Sequence, residues 1–330
     1  MDEFSKSPVI SVVIPAHNGR DLLTACLDSV FRSDHDDFEV IVVDNGSTDG
    51  TEELLRDRFP QVRRIIHKEP LGFAKAANIG IKQARGEFIA LLNQDAEVDS
   101  RWLSVLKNTM EKDSTLGICA SKMYNYYRRE LLDGAGDTYV RSGDAFRLGH
   151  GLPDGERFNQ SHSVFGACGG AAFYRRSMLE EIGPLDEDFF MYYEDVDLNF
   201  RAQLYGYHCR FIPEAVIYHV GSASSGGVQT ARTTFLIARN SIFVILKNYP
   251  TSLLIANLRH IVRSRVAFIR HYCNQDREMG RAFIKGLAFA LLKLPAMLVK
   301  RYRIQKHRKI PLDDLQNLFL LSEQQMQVHG

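Results

Sequence analysis

An α/β fold, built on a mostly parallel sheet flanked by helices, is predicted by two features of the first hundred residues. Apolar, β-branched runs alternate there with segments of helical periodicity. The runs end at Pro15, Asp44 and Asp95, and the carboxyl ends of strands are where open α/β sheets keep their ligands. A third feature sets the last quarter apart. Beyond residue 231 the chain turns basic and its apolar residues recur at helical intervals, which predicts a helical extension.

Val9-Ile10-Ser11-Val12-Val13-Ile14-Pro15 is apolar, β-branched and closed by proline, so it reads as a buried strand. Asp21 to Arg32 places Leu22, Leu23, Cys26, Leu27, Val30 and Phe31 on one helical face. Phe38 to Val43 is a second buried strand. It runs into Asp44-Asn45-Gly46-Ser47-Thr48-Asp49-Gly50, a turn cluster that also offers a cap for the helix Thr51 to Arg58. A third strand is expected over Val62 to His67, a helix over Gly72 to Ala84 and a fourth strand over Phe88 to Leu92. Trp102 to Lys112 follows as a helix and Leu116 to Met123 as a strand.

The pattern then weakens. Tyr124 to Gln160 is polar, glycine-rich and weakly periodic, which predicts a long loop or an irregular hairpin region. Val164 to Tyr174 is apolar but holds Gly166, Gly169 and Gly170, and reads as a strand whose backbone closely approaches a ligand or another segment. Arg176 to Ile182 is a short helix stopped by Gly183-Pro184, Asp195 to Tyr205 a helix ended by Gly206, and His208 to His219 a strand.

A chain of 330 residues with 45% hydrophobic content buries one large core and a smaller appended unit, which excludes disorder as its main state. Cys26, Cys119, Cys168, Cys209 and Cys273 show neither CxxC pairing nor ligand spacing, so a reducing compartment is expected rather than a disulfide frame or a zinc site. Met1 to Pro8 is polar and the apolar run after it is too short for a signal peptide, which favours the cytosolic side. The net charge of +1 conceals a split: residues 1–231 carry 24 Lys and Arg against 35 Asp and Glu, whereas residues 232–309 carry 17 against 2.

Acids gather where strands meet loops. Asp44 can accept hydrogen bonds from a base imide or a ribose hydroxyl beside the wall formed by Pro15 to Asn18, and it equally suits capping of its own turn. Asn93-Gln94-Asp95 lacks the first acid of a D-x-D pair, leaving Asp95 as the strong ligand for a hard cation, with diphosphate oxygens and a candidate imidazole to complete the shell. His219, at the end of its strand, is the candidate imidazole; a structural role is the competing reading. Glu194 and Asp195 stand where an aromatic segment becomes a helix, and a carboxylate there is held ionised by the helix dipole and available as a base. Capping explains one of the acids Glu194, Asp195 and Asp197 and leaves the others over.

Pro15-Ala16-His17-Asn18, Asp44-Asn45-Gly46-Ser47-Thr48-Asp49, Leu71-Gly72-Phe73-Ala74 with Asn78, Leu92-Asn93-Gln94-Asp95, Glu194-Asp195-Val196-Asp197 and His219-Val220-Gly221-Ser222 together resemble the ordered motifs of family 2 inverting glycosyltransferases of the GT-A fold, the nucleotide-diphospho-sugar transferase fold. The resemblance covers roughly residues 9–250 and is strongest to the bacterial rhamnosyltransferase-like branch that builds surface polysaccharides. It implies that Pro15, His17, Asn18, Asp44, Asn45, Ser47, Gly72, Phe73, Asn78 and Asn93 bind the nucleotide-sugar donor. It further implies that Asp95 and His219 hold Mg²⁺ or Mn²⁺, and that Asp195, with Glu194 beside it, is the catalytic base. Gln94 stands where proline is common in this branch, and no Gln–Arg–Trp type motif of processive synthases follows, which favours transfer of one sugar or a few. The implied donor is dTDP-rhamnose with a UDP-sugar as runner-up, and the implied acceptor is a saccharide or lipid-linked saccharide.

The organisation expected is a catalytic domain over residues 1–240 and a basic amphipathic extension over 241–330. Ile242 to Asn248, Leu253 to Tyr272 and Arg281 to Arg303 combine apolar faces with basic residues, and Lys285, Gly286, Lys293 and Pro295 interrupt the most apolar piece, so a spanning helix is not expected. Aliphatic residues between the charges favour an anionic membrane surface over nucleic acid, which places the protein peripherally on the inner face of the cell membrane. Packing on the catalytic domain or a homodimer contact is the other use of these helices. A non-catalytic sugar-nucleotide-binding or membrane scaffold protein is the competing function. A nucleotidyltransferase fits less well, because Pro15 to Arg20 holds one glycine and one basic residue.

Overall fold

The computed structural model describes residues 8–221 and 230–329. Its first half alternates as expected: β1 (Ile10–Ala16), α1 (Arg20–Val30), β2 (Phe38–Asn45), α2 (Thr51–Asp57), β3 (Arg63–His67), α3 (Phe73–Gln83) and β4 (Phe88–Leu92). β1 pairs in parallel with β2 and β4, and β3 extends the sheet beyond β2. β1 and β4 are buried at every position, as strands covered on both faces must be. Ile10, Val12 and Ile14 pack with Leu23, Leu27 and Trp102 on one face, while Val13 joins Ala76, Ala77 and Met178 on the other.

The sheet continues through β5 (Ala96–Val98), α4 (Trp102–Lys112) and β6 (Leu116–Asn125), then β7 (Leu132–Gly134), β8 (Asp137–Tyr139), β9 (Ala145–Arg147), β10 (His162–Val164) and β11 (Ala171–Arg175). After α5 (Arg176–Ile182) and α6 (Glu194–Leu204) it closes with β12 (His208–His219). The strand order is β10-β12-β6-β11-β4-β1-β2-β3, with β10 and β11 running against the rest. Of the two forms expected for Tyr124 to Gln160, the hairpin is found: β8 and β9 pair Asp137 with Arg147 and Tyr139 with Ala145. Three-residue strands are too short to leave a period in the sequence.

Val164 to Tyr174 is not one strand. β10 ends at Val164 and β11 begins at Ala171, and the glycine-bearing stretch between them turns away because other groups occupy the space beside it. A Cβ on Gly166 would strike the Asn199 side chain, and one on Gly169 would lie 3.2 Å from the Asp195 Cβ.

The extension forms α7 (Ala231–Asn248), α8 (Thr251–Gln275), α9 (Arg277–Leu292), α10 (Leu294–Lys306) and α11 (Leu312–His329). The stretch Arg281 to Arg303 is thus two helices, bent by 63° at Lys293, with Pro295 in the first turn of α10. No single described helix is long and apolar enough to cross a membrane. The boundary expected at residues 240 and 241 falls inside α7, a continuous helix. The extension also shares a core with the preceding domain: Phe243, Val244, Tyr249, Met297 and Phe319 pack with Tyr139, Phe165, Phe189 and Phe200. The inner faces of these helices therefore pack on the α/β body.

Buried charge stitches the two parts together. Lys247, 2% exposed at its side chain, lies 2.5 Å from Asp186 Oδ2 and 2.8 Å from Asp197 Oδ1. Asp197 also receives Arg201 at 3.0 Å, and the Arg201 guanidinium donates onward to the carbonyls of Ile182, Gly183 and Pro184. Burial opposes ionisation of Asp186, but Lys247 and Lys300 hold its carboxyl well below the usual carboxylate range. A carboxyl depressed in this way adds stability that is complete above its unfolded value, near pH 4, and drains away as pH falls toward the folded value. Lys247→Met removes the cation shared by two carboxylates, leaving Asp197 with Arg201 and Asp186 with Lys300. It is expected to cost about 3 kcal/mol in urea denaturation at pH 7, with the deficit narrowing below about pH 4.

Candidate active site

A cavity of about 530 Å³ opens at the carboxyl ends of β1 and β4. Pro15, Asn93, Gln94, Asp95, Glu194, Asp195 and His219 all line it, so acids separated by a hundred residues meet in one cleft. A second cavity of about 320 Å³ shares Pro15, Phe73, Met191 and Tyr192 with it and is also lined by His17, Asn45 and Gly72.

Pairing across the sheet brings Asp95 to His219. β5 runs antiparallel to the end of β12, with Ala96 opposite His219, and the Val220 amide donates to the Asp95 carbonyl at 3.0 Å. His219 Nε2 then lies 3.4 Å from Asp95 Oδ1 and 3.2 Å from Asn93 Nδ2, while Nδ1 lies 2.8 Å from Asp133 Oδ2. Burial pulls the imidazole down, but its bonds to Asp133 and Asp95 outweigh this and carry it up to about 9.

These two residues suit a hard divalent cation. Ligands in adjacent octahedral positions around Mg²⁺ stand about 3 Å apart, close to the observed separation, and ligating imidazoles are commonly steered by a carboxylate on the far nitrogen, the part Asp133 takes here. Among the described residues no cluster of three or more His, Cys, Asp and Glu side chains forms a cage; a cation held by Asp95 and His219 would take its other ligands from substrate and water.

Asp195 is fixed by backbone amides. Its Oδ2 accepts from the Gly169 N–H at 2.8 Å and its Oδ1 from the Val196 N–H at 2.8 Å, in the first turn of α6, where the helix dipole favours a carboxylate. The glycine at 169 is required because this amide approaches the acid so closely. Glu194 differs from its neighbour: it is buried, its Oε2 has no hydrogen-bond partner, and burial together with the charge of Asp195 pushes its carboxyl well up.

The turn that delivers α6 is strained. Phe190 has φ 66° and ψ −60°, with the Met191 amide bonded back to the Phe189 carbonyl at 2.8 Å, and Tyr192 and Tyr193 also hold φ near +67° and +68°. Asn240 of α7 compensates. Its Nδ2 donates to the carbonyls of Phe189, Met191 and Tyr192 at 3.0, 2.9 and 2.6 Å. Gly72, with φ +87°, lets the Phe190 ring lie against the start of α3; a Cβ there would sit 2.5 Å from the ring.

The remaining residues expected at the donor end divide into wall and support. His17 rests on the Asn45 carbonyl through Nδ1 at 3.0 Å, and Gln94 clips both its amide and its carbonyl at 2.9 Å. Asn45 accepts the Leu71 amide at 2.6 Å, joining the second strand's loop to Gly72. Asp44, 1% exposed, accepts the Ser47 amide at 2.9 Å, and Ser47 in turn accepts the Asn18 amide at 3.0 Å. Asp44, Asn18 and Ser47 line neither cavity. Asn78 is not brought to the cleft: its side chain bonds Leu185 and Glu187 and ties α3 to the segment before α6. Ser222, Ala223 and Ser224 of the last motif lie outside the described residues.

Sequence reasoning missed the contribution of the β7–β9 region. Asp133, Asp137, Phe146, Arg147 and His150 line the larger cavity. Arg147 bonds Asp133 Oδ2 at 2.6 Å and Cys168 Sγ at 3.0 Å, crossing Gly134, whose missing side chain leaves it room. The signal lay in Asp133-Gly134-Ala135-Gly136-Asp137, two acids around three small residues, within a stretch that carries no period.

The sheet and the cleft at its strand ends define a GT-A type α/β protein. A family model described as glycosyl transferase family 2 matches residues 11–183, more than half the chain, and the protein belongs to that family. It is 30% identical over 240 residues to protein y4gI of Sinorhizobium fredii, covering 68% of this chain and 26% of that one. It is 32% identical over 181 residues to a PGL/p-HBAD biosynthesis glycosyltransferase of Mycobacterium tuberculosis, covering 54% of this chain and 63% of the relative. The chain thus spans less than two thirds of either relative. A mannosyltransferase from Pyrobaculum calidifontis, solved with GDP-Man and Mn²⁺, shares the fold at a TM-score of 0.55 and 17% identity, over 98% of this chain and 88% of its own.

Asn240→Ala removes the amide that reaches three carbonyls of the strained turn; Phe189 keeps Arg239 at 2.7 Å and the Met191 amide, while Met191 and Tyr192 lose this donor. We expect a loss of about 2 kcal/mol in urea denaturation and new protease cleavage between residues 189 and 193, with far-ultraviolet circular dichroism unchanged.

Proposed function

We propose that the protein transfers a sugar from a nucleotide-diphosphate donor to a saccharide hydroxyl in a single displacement that inverts the anomeric centre. The observation that carries this reading is the meeting of Asp95, His219 and Asp195 in one cleft, with a second cavity beside Pro15, His17 and Asn45 for the nucleotide end. Family membership and the fold shared with a protein solved with GDP-Man and Mn²⁺ agree with it.

In this mechanism Asp195 takes the proton of the acceptor hydroxyl as that oxygen bonds to the anomeric carbon. The bond from that carbon to the diphosphate breaks, and its electron pair leaves with the nucleotide. Two backbone amides fix the carboxylate of Asp195, so little reorganisation is needed as the proton moves. Asp133 orients His219 from behind, and Gln94 holds the wall at His17. Mg²⁺ or Mn²⁺ bound at Asp95 and His219 supplies neutralisation of the charge that builds on the diphosphate.

The donor we favour is dTDP-rhamnose, with a UDP-sugar second, and the acceptor a lipid-linked saccharide of a cell-surface polysaccharide; this rests on the motif resemblance. Thermal melting with dTDP-, UDP- and GDP-sugars, each with and without Mn²⁺, is expected to rank dTDP-rhamnose with Mn²⁺ highest. A larger shift with another base overturns the donor assignment. Asp195→Asn is expected to lower turnover by about 10³-fold while the donor's melting shift persists. Near-normal turnover removes Asp195 from the role.

The outer faces of the extension support a peripheral position on the inner face of the membrane. Ile255, Leu258, Val262 and Val266 are 70, 53, 52 and 40% exposed along one side of α8, beside exposed Arg259, Arg263 and Arg270. Replacing those three arginines with glutamate is expected to abolish flotation with phosphatidylglycerol vesicles, at about 1 kcal/mol per basic residue, without moving the melting temperature. Failure of the unmodified protein to float defeats the membrane reading and leaves a contact between two copies of the chain, to be read from sedimentation.

A further inference from the structure

We propose that the β8–β9 hairpin carries a pyranose subsite on the acceptor side of the cleft, with the Phe146 ring as its stacking platform and the Asp137 carboxyl as the partner of a ring hydroxyl. This rests on the glycosyl-transfer reading above and names the groups that would grip the acceptor.

Asp137 is the first support. The residue lines the cavity and is 9% exposed, and its buried Oδ1 has no hydrogen-bond partner. The nearest cation, Arg147 Nε, stays 4.0 Å away. Its backbone is already satisfied, because its amide and carbonyl exchange bonds with Gly166 at 2.9 and 3.2 Å. The fold therefore makes no use of this oxygen. A carboxyl with an unpartnered buried oxygen is costly to the fold, and a ligand hydroxyl that reaches the Asp137 carboxyl offsets that cost. Burial, and after it the charges of Asp195 and Asp133 working against Arg147, pushes the carboxyl up to about 7, so near neutral pH it serves as either acceptor or donor.

Phe146 is the second. It is a large apolar residue, 39% exposed, on the cavity wall that Asp133, Asp137, Arg147 and His150 also line. Its strand position opposite Thr138 keeps it one residue from Arg147 and one strand from Asp137. An aromatic face beside convergent polar groups suits a pyranose, which presents C–H groups on its faces and hydroxyls around its rim.

Position assigns this ring to the acceptor. The hairpin residues line the larger cavity, which holds Asp195, whereas His17, Asn45 and Gly72 line the smaller one. The hairpin is also held rigid from outside the cleft. Arg141 pairs with Glu323, Asp144 with Arg265, and the Ser264 hydroxyl donates to Asp144 at 2.6 Å, so α8 and α11 fix its turn. Such support is what a preformed subsite needs.

The test uses the full chain, Mn²⁺, the donor chosen by the melting screen, and octyl α- and β-pyranosides as acceptors. Phe146→Ala is expected to raise the acceptor KM about tenfold, the worth of one aromatic contact, while kcat and the donor KM change less than twofold; Phe146→Trp restores the acceptor KM. Asp137→Ala is expected to raise it about tenfold and to flatten discrimination among the pyranosides. A shift in donor KM with acceptor KM unchanged makes this a donor-sugar contact and overturns the proposal, as does no shift in either. If no donor supports turnover, glycosyl transfer itself fails. Saturation-transfer NMR with the octyl pyranosides then decides the subsite alone: signals lost in Phe146→Ala sustain it, and equal or absent signals in both proteins overturn it.

Discussion

The geometry of the cleft depends on a carboxamide outside the sheet. Asn240 takes the carbonyls of Phe189, Met191 and Tyr192, and without it the backbone from Phe190 to Tyr193 would have bulky residues at positive φ and unpaired polar groups at once. That turn sets where α6 begins. The start of α6 in turn sets where Asp195 meets the Gly169 amide. Local strain of about 1–3 kcal/mol per residue persists only where the surroundings over-determine it, and here α7, the Phe190 ring against Gly72 and the Ala74 amide bonded to the Phe190 carbonyl all converge on four residues.

The helical extension therefore serves the site twice. α7 pins the turn before α6, and α8 and α11 hold the β8–β9 hairpin through Asp144, Arg141 and the Tyr139 amide. Its packing is no simple apolar docking, since Lys247 enters the body between Asp186 and Asp197. A buried ion pair of this kind adds little net stability over an apolar contact of the same size but penalises every arrangement that leaves one charge alone. It fixes how α7 lies against α6, and with it the geometry that Asn240 needs.

The parallel half was legible because its strands are covered on both faces and leave unbroken runs such as Val9 to Pro15 and Phe88 to Leu92, bounded by turn residues. The meeting of Asp95 with His219 was legible through ordered motifs, and the structure adds β5 against β12 as the cause. What sequence could not reveal is structure held by distant partners. β7, β8 and β9 have three residues each and owe their shape to β6, to Gly166 and to the extension. The glycines of 164–174 were correctly read as points of close approach, but a local pattern does not say that the approaching groups are Asn199, Asp195 and Asn93. Asn78 shows the same limit from the other side, since a motif position gives no sign that its amide faces Leu185.

Five carboxyl groups, Asp95, Asp133, Asp137, Glu194 and Asp195, line the larger cavity, a crowd that would repel an anionic ligand if all were equal. They are not equal. Burial opposes the charge on Asp133, but His150, His219 and Arg147 face it and hold it ionised, so its charge is spent on neighbouring cations. Glu194 faces no cation and is driven toward its neutral form by burial and by Asp195. Asp137 stands between, with Arg147 too distant to pair fully. The negative field is thereby muted around Glu194 and neutralised around Asp133, while Asp195 accepts from two backbone amides. Unequal partners thus make five acids in one cleft electrostatically distinct: Asp133 faces three cations, Asp137 one at a distance, and Asp195 two backbone amides.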